Sequence, residues 1–236
     1  MFSKEVLTNI FLMILCYIYI FLIIFFSGKM DKLLHISRKA SRKFLHAMIG
    51  NLLFVIPFFT SKVYPVMVAA PFILVTFLAS PYSPFKSLSR RLKGLADLTE
   101  EGHRLGLVFY ATSYTLLAFF FASKPYIIAA GILPMAYGDS TASIVGVRYG
   151  RRKYRLFAEK SLEGSAAMFF TSLFSLTLSL VFFSALYPLS VLGKLFPALA
   201  AATTATLVES LSPRGSDNLT VPIFSALAFL FLGGGI

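Results

Sequence analysis

Residues 6–26 read VLTNIFLMILCYIYIFLIIFF, an uninterrupted run from Val6 to Phe26 without a single charge. A helix of about twenty apolar residues, rising ~1.5 Å per residue, is what the ~30 Å hydrocarbon core of a bilayer requires. The run is too long for the core of a signal peptide, and no convincing cleavage site follows it. Segment 1–30 therefore reads as a retained first membrane span.

Working outward from this stretch, further apolar runs follow near Ala47–Phe59, Val63–Ser80, Leu105–Phe121, Tyr126–Val147, Ser165–Leu186, Leu189–Val208 and Leu219–Leu232. The predicted fold is all-α: a polytopic transmembrane helical bundle of about eight spans, forming one membrane domain over residues 1–236. Composition agrees. Only 14% of residues are charged and the mean hydropathy is +0.79, whereas a soluble domain carries about a quarter of its residues as Asp, Glu, Lys or Arg. Cys16 is the only cysteine, and His35, His46 and His103 are scattered, which excludes an internal disulfide and argues against a zinc site. No nucleic-acid partner is expected. The formal charge of +12 suits anionic lipid head groups or an anionic substrate, and charge alone does not separate the two.

Lysine and arginine orient the spans. Eighteen of the 22 basic residues fall in the loops after the first, third, fifth and seventh spans, and the other four fall in the alternate segments. Short cytoplasmic loops accumulate positive charge, so these four loops are expected inside and both termini outside. After Pro81–Pro84 ends the third span, the LSRRLK stretch at 88–93 reads as a short interfacial helix.

Ten acidic residues remain, and four sit where ionised groups are expensive: Asp139, Glu163, Glu209 and Asp217. Asp139 lies within the fifth run, in the small-residue segment GDSTASIVG of Gly138–Gly146. Close helix packing would explain the small residues but not the carboxylate. Glu209 ends the seventh span, Asp217 opens the eighth, where helix capping is an alternative, and Glu163 opens the sixth. The inferred topology puts all four on the cytoplasmic side. Carboxylates beside basic groups suit a divalent cation with a polyphosphate, since hard oxygens hold Mg²⁺ while Lys and Arg take phosphates. Two basic blocks face the same side. The first is RKASRKFLH at 38–46, with Lys39, Lys43 and His46 aligned by helical spacing and Arg38 aligned with Arg42. The second is GRRK at 150–153, followed by EKSLEGS at 159–165. A membrane anchor would explain the first block except for its histidine. In the second, a serine at a helix start beside a lysine offers N–H donors and a cation to phosphate.

In order, Arg42-Lys43-x-x-His46, Gly138-Asp139-x-x-Ala142-x-x-x-Gly146-x-x-x-Gly150, Lys160-Ser161-x-Glu163-Gly164-Ser165, Glu209 and Asp217-Asn218-Leu219-Thr220-Val221-Pro222 resemble the CTP-dependent lipid-alcohol kinases. That group holds dolichol kinase, phytol and farnesol kinase, and the CTP-dependent diacylglycerol kinase. The likeness runs over 37–222, and Gly106–Tyr110, after the acidic Asp97–Glu101 stretch, resembles the family more weakly. The long N-terminal membrane region of the larger dolichol kinases is not in this sequence, whose length is nearer the phytol-kinase-like forms.

The resemblance implies transfer of the γ-phosphoryl of CTP to the hydroxyl of a long isoprenoid alcohol (dolichol, polyprenol, phytol or geranylgeraniol type), giving the lipid monophosphate and CDP. It implies Mg²⁺ held or oriented by Asp139, Glu209 and Asp217. Phosphates would be met by Arg42, Lys43, Arg151, Arg152, Lys160 and Ser161, with Gly138, Gly146, Gly164 and Asn218 in the nucleotide site. Asp139 or Glu163 would be the base, and His46 would complete the polar wall. No P-loop and no protein-kinase signature is present, so the phosphate cradle must be built from helix ends. The rivals are a CDP-lipid-forming cytidylyltransferase and an ion-coupled carrier; a carrier usually shows an inverted repeat, and none is visible here.

Overall fold

The computed structural model describes residues 3–35, 37–87, 92, 95, 104–213 and 215–235. Apart from Leu92, the expected interfacial helix at 88–93 lies outside the described residues, as does the acidic stretch Asp97–Glu101. Where the sequence reads as one membrane domain, the chain divides into two compact units, 1–123 and 124–236.

In the first unit, α1 runs Lys4–Ser27, capped by Ser3, whose hydroxyl accepts the Val6 N–H at 3.3 Å. After the short α2 (Met30–Leu34), α3 spans Arg38–Gly50 behind a Ser37 cap and tightens into a 3₁₀ turn over Asn51–Phe58, which contains Pro57. The third apolar run is two helices, α4 (Val63–Ala69) and α5 (Pro71–Ala79). Pro71 is the reason: proline has no N–H to continue a helix and is tolerated only in its first turn. The unit closes with α6, Gly106–Phe121, and Leu45, Ala79, Leu95 and Leu107 form a buried cluster within it.

The second unit begins with α7 (Pro125–Leu133), which widens into a π turn at Pro134–Gly138 and resumes as α8 (Asp139–Tyr149). Pro134 again dictates the break. The Asp139 N–H reaches back to the Pro134 carbonyl, and the wider turn re-aims the helix at Asp139. Such π turns occur often at functional sites. The fifth apolar run is thus not the straight span its composition suggests. A feature the all-α reading omitted follows: an antiparallel hairpin of β1 (Lys153–Arg155) and β2 (Glu159–Ser161). Then come α9 (Leu162–Ser184), α10 (Leu195–Leu211) and α11 (Asp217–Phe229), the last ending in a π turn at Leu230–Gly234.

This is a helical membrane protein. Among the described residues three helices are long and apolar enough to cross a bilayer: Lys4–Ser27, Leu162–Ser184 and Asp217–Gly234. On α9 the buried face carries Met168, Ser172, Leu176, Leu180 and Phe183, while Phe170, Phe174, Leu178 and Val181 are exposed. An exposed stripe as apolar as the interior fits lipid rather than water, and small residues on the inner face let helices approach.

Candidate active site

Sequence, hairpin and helix ends converge on Lys160. The register pairs Tyr154 with Lys160, and directly opposed residues project from the same face of a hairpin. Both reach the end of α10. The Tyr154 hydroxyl lies 2.8 Å from Ser210 Oγ and 2.6 Å from Ser165 Oγ of α9, while Lys160 Nζ donates to Glu209 Oε1. Tyr154, unremarked in the sequence, therefore fixes the hairpin that delivers Lys160. A short strand with an aromatic residue opposite the lysine was the available signal. The opposite face carries an exposed Lys153–Glu159 pair at 2.6 Å, of a kind that contributes little.

Asp139, Glu209 and Asp217 are all buried, and all three act on Lys160. Burial pulls its ammonium down, but the charges of Glu209, then Asp139 and Asp217, more than offset this and hold it above the ordinary lysine range. A lysine so held stays charged. The two aspartates arrive by different routes, Asp139 through the π turn and Asp217 in the first turn of α11, where its Oδ1 accepts the Asn218 N–H at 3.0 Å. Asp217 is the first residue of α11 and not its cap: the cap position is Ser216, which makes no side-chain capping hydrogen bond, and Asp217 acts on Lys160. The buried Asn218 follows it, and the Ser212–Thr220 hydroxyl contact at 2.7 Å ties α10 to α11. Among the described residues no three His, Cys, Asp or Glu side chains form a ready-made metal cage. The donor chemistry nonetheless fits Mg²⁺, which typically takes one or two carboxylates and completes its shell with water and substrate phosphate.

Other candidate residues are placed differently. Glu163 accepts the Arg152 N–H at 3.2 and 3.3 Å and is absent from the carboxylates acting on Lys160. Arg151 and Arg152 are exposed on the hairpin's approach. The Ser161 hydroxyl caps α9 by accepting the Gly164 N–H at 3.1 Å. The glycines are explained by close helix approach. A Cβ on Gly164 would lie 3.0 Å from the Ala142 carbonyl oxygen and 3.3 Å from Gly146 Cα, and one on Gly138 would lie 3.2 Å from the Met168 carbonyl oxygen. Gly164→Ala is therefore expected to separate α8 from α9 and to lower stability by about 1–3 kcal/mol, read as a fall in thermal midpoint of the detergent-solubilised protein.

The first unit holds the basic block. Arg38 and Lys39 are exposed, as an anchor would be, while Arg42, Lys43 and His46 are buried. Cations are rarely buried without partners, so the anchor reading suits the first pair only. The His46 ring stacks on Tyr110 with centroids 4.8 Å apart, and the Tyr110 hydroxyl donates to the His46 carbonyl at 3.0 Å.

A bundle of apolar helices that keeps one lysine among three buried carboxylates defines a membrane protein with a built polar site. Comparison with known proteins gives the class. The chain is 41% identical over 155 residues to a phytol kinase of Synechocystis sp., covering 62% of this chain and 65% of that one. It is 30% identical over 213 residues to a probable chloroplastic phytol kinase of Triticum aestivum, covering 84% and 69%. It is likewise 30% identical over 203 residues to the chloroplastic phytol kinase 1 of Arabidopsis thaliana, covering 82% and 66%. The chain belongs to the phytol kinase family, one of the lipid-alcohol kinases its motifs resemble. It spans about two thirds of the length of these relatives. No protein-family model matches the chain, and no solved structure does.

Proposed function

We propose that this protein is a membrane kinase that transfers the γ-phosphoryl of CTP to the hydroxyl of a long isoprenoid alcohol of the phytol type, releasing CDP. The observation that carries the reading is the half-buried Lys160 held among the buried Asp139, Glu209 and Asp217 in a chain of the phytol kinase family. Phosphoryl transfer needs little covalent help from the protein; it needs reactants in line and charge neutralised. Lys160 supplies a cation held by Glu209, and Arg151 and Arg152 supply exposed ones. Arg42, Lys43 and His46, buried in the first unit, are the further polar residues that the family resemblance adds. Asp139 and Asp217 are the hard donors for Mg²⁺, which would neutralise charge on the transferring phosphate when bound. Glu209 orients Lys160. Asp139 belongs to this group and Glu163 does not, which favours Asp139 for the hydroxyl proton. Gly138, Gly146 and Gly164 serve by bringing the helix ends together.

The test is purified protein with γ-labelled CTP, Mg²⁺ and a panel of phytol, geranylgeraniol and polyprenols. Labelled lipid monophosphate and CDP are expected, with ATP a far poorer donor. Pyrophosphate release from a phosphorylated lipid would replace this reading with a cytidylyltransferase.

We also assign all eight helical runs to the membrane, with the hairpin on the cytoplasmic side, from the distribution of basic residues. A cysteine at exposed Lys153 should react with an impermeant maleimide only after the membrane is opened. Labelling in intact cells would reverse the orientation.

A further inference from the structure

The first unit contains an apolar cavity of about 80 Å³ that is open at the surface, concave and lined mainly by hydrophobic and aromatic side chains as small-ligand sites are. Every helix of that unit longer than α2 contributes to its wall, with Ile20, Ile49, Ile56, Val68, Tyr110 and Tyr114 among the lining residues. The Thr76 hydroxyl in the wall is already bonded to the Phe72 carbonyl at 2.6 Å, and that of Tyr110 to His46. Tyr114 differs. It is buried, and its hydroxyl has no hydrogen-bond partner among the described residues. Leaving such a group dry and unmade costs about 1–3 kcal/mol, so the wall suits a guest that is apolar along its length and carries one hydrogen-bonding atom.

We infer that this cavity takes the branched hydrocarbon chain of the acceptor alcohol, with the alcohol oxygen at the tyrosine side. The inference rests on the kinase reading and specifies its second substrate. A methyl-branched chain matches walls built from isoleucine, valine and aromatic rings, and the single oxygen of an alcohol is the partner Tyr114 lacks. Beyond its ester, the acyl chain of a phospholipid carries no such atom. The tyrosine side is also where the cavity borders the polar block. Tyr110 stacks on His46, and Tyr114 meets Tyr110 edge-on with centroids 6.2 Å apart. Helix α3 carries both functions, with Leu45 and Ile49 lining the cavity and Arg42, Lys43 and His46 forming the basic block.

The experiment uses the full chain in detergent with a diazirine-bearing phytol analogue, mapping labelled peptides by mass spectrometry. Labelling is expected in 38–50 and 106–121, reduced at least about tenfold by excess phytol and unaffected by dioleoyl phosphatidylcholine. Ala111→Phe, which fills the cavity from α6, should raise KM for phytol about tenfold or more and leave KM for CTP within about twofold. Val68→Phe gives the same reading from α4 if the first variant does not fold. Tyr114→Phe should raise KM for phytol without lowering the thermal midpoint of the empty protein. Labelling confined to other helices, equal competition by phosphatidylcholine, or an unchanged KM for phytol in the filled variants overturns the inference. Specific labelling of this cavity without phosphorylation of any alcohol would leave the inference standing and remove the kinase reading. Phosphorylation with labelling elsewhere does the reverse.

Discussion

Asp139→Asn is expected to abolish phosphoryl transfer almost completely, by about 10²–10³-fold, the loss typical when one preorganised electrostatic group is removed from an active site, while the protein still folds and inserts. Asparagine keeps the volume and much of the hydrogen bonding of aspartate but loses its charge. A carboxylate at membrane depth costs about 2.5–3.5 kcal/mol on insertion scales, so a residue kept only for packing would be better as alanine or serine. Stability should therefore hold or rise as turnover falls, and raised Mg²⁺ should restore a little of it. Turnover and thermal midpoint measured on one preparation decide the matter. An Asp139→Asn protein with near-normal turnover would take Asp139 out of the site.

Lys160→Met is expected to have the largest effect on stability. Glu209 is only 4% exposed and Lys160 only 23%, so removing the lysine strands a buried carboxylate beside two others. Breaking a buried pair from one side costs about 3–5 kcal/mol. The double change Lys160→Met with Glu209→Leu removes both charges and should recover most of that loss, since hydrophobic replacement of an entire buried pair is often neutral. Activity should not return with stability, because the cation proposed to meet phosphate is gone. A double-mutant cycle in thermal midpoint, run beside the transfer assay, separates the two roles. Full activity in the stabilised double variant would show that the pair only holds α10 to the hairpin.

The sequence by itself determined the membrane class and the candidate residues. An apolar run such as Val6–Phe26 is legible because each residue's transfer into lipid is settled by its own side chain, and α1 covers that run almost to the residue. The four acids in or at the ends of apolar runs stood out for the same local reason, and the order of the Gly-Asp and Lys-Ser-x-Glu-Gly-Ser blocks sufficed to indicate the family. Only the tertiary structure decided which of these groups meet. Lys160 and Glu209 are 49 positions apart, and their pairing depends on a hairpin whose three-residue strands are too short to leave a periodic signal. The π turn depends on how Pro134 is accommodated between neighbouring helices, and it aims Asp139 in a direction that a straight-helix reading does not give. Glu163 and Glu209 looked equivalent as acids at helix ends, but packing sent one to the Arg152 backbone and the other to Lys160. Arg38 and Arg42 lie one helical turn apart in one basic block. The first is exposed and the second buried because burial depends on what packs against α3, and a single segment carries no information about its neighbours.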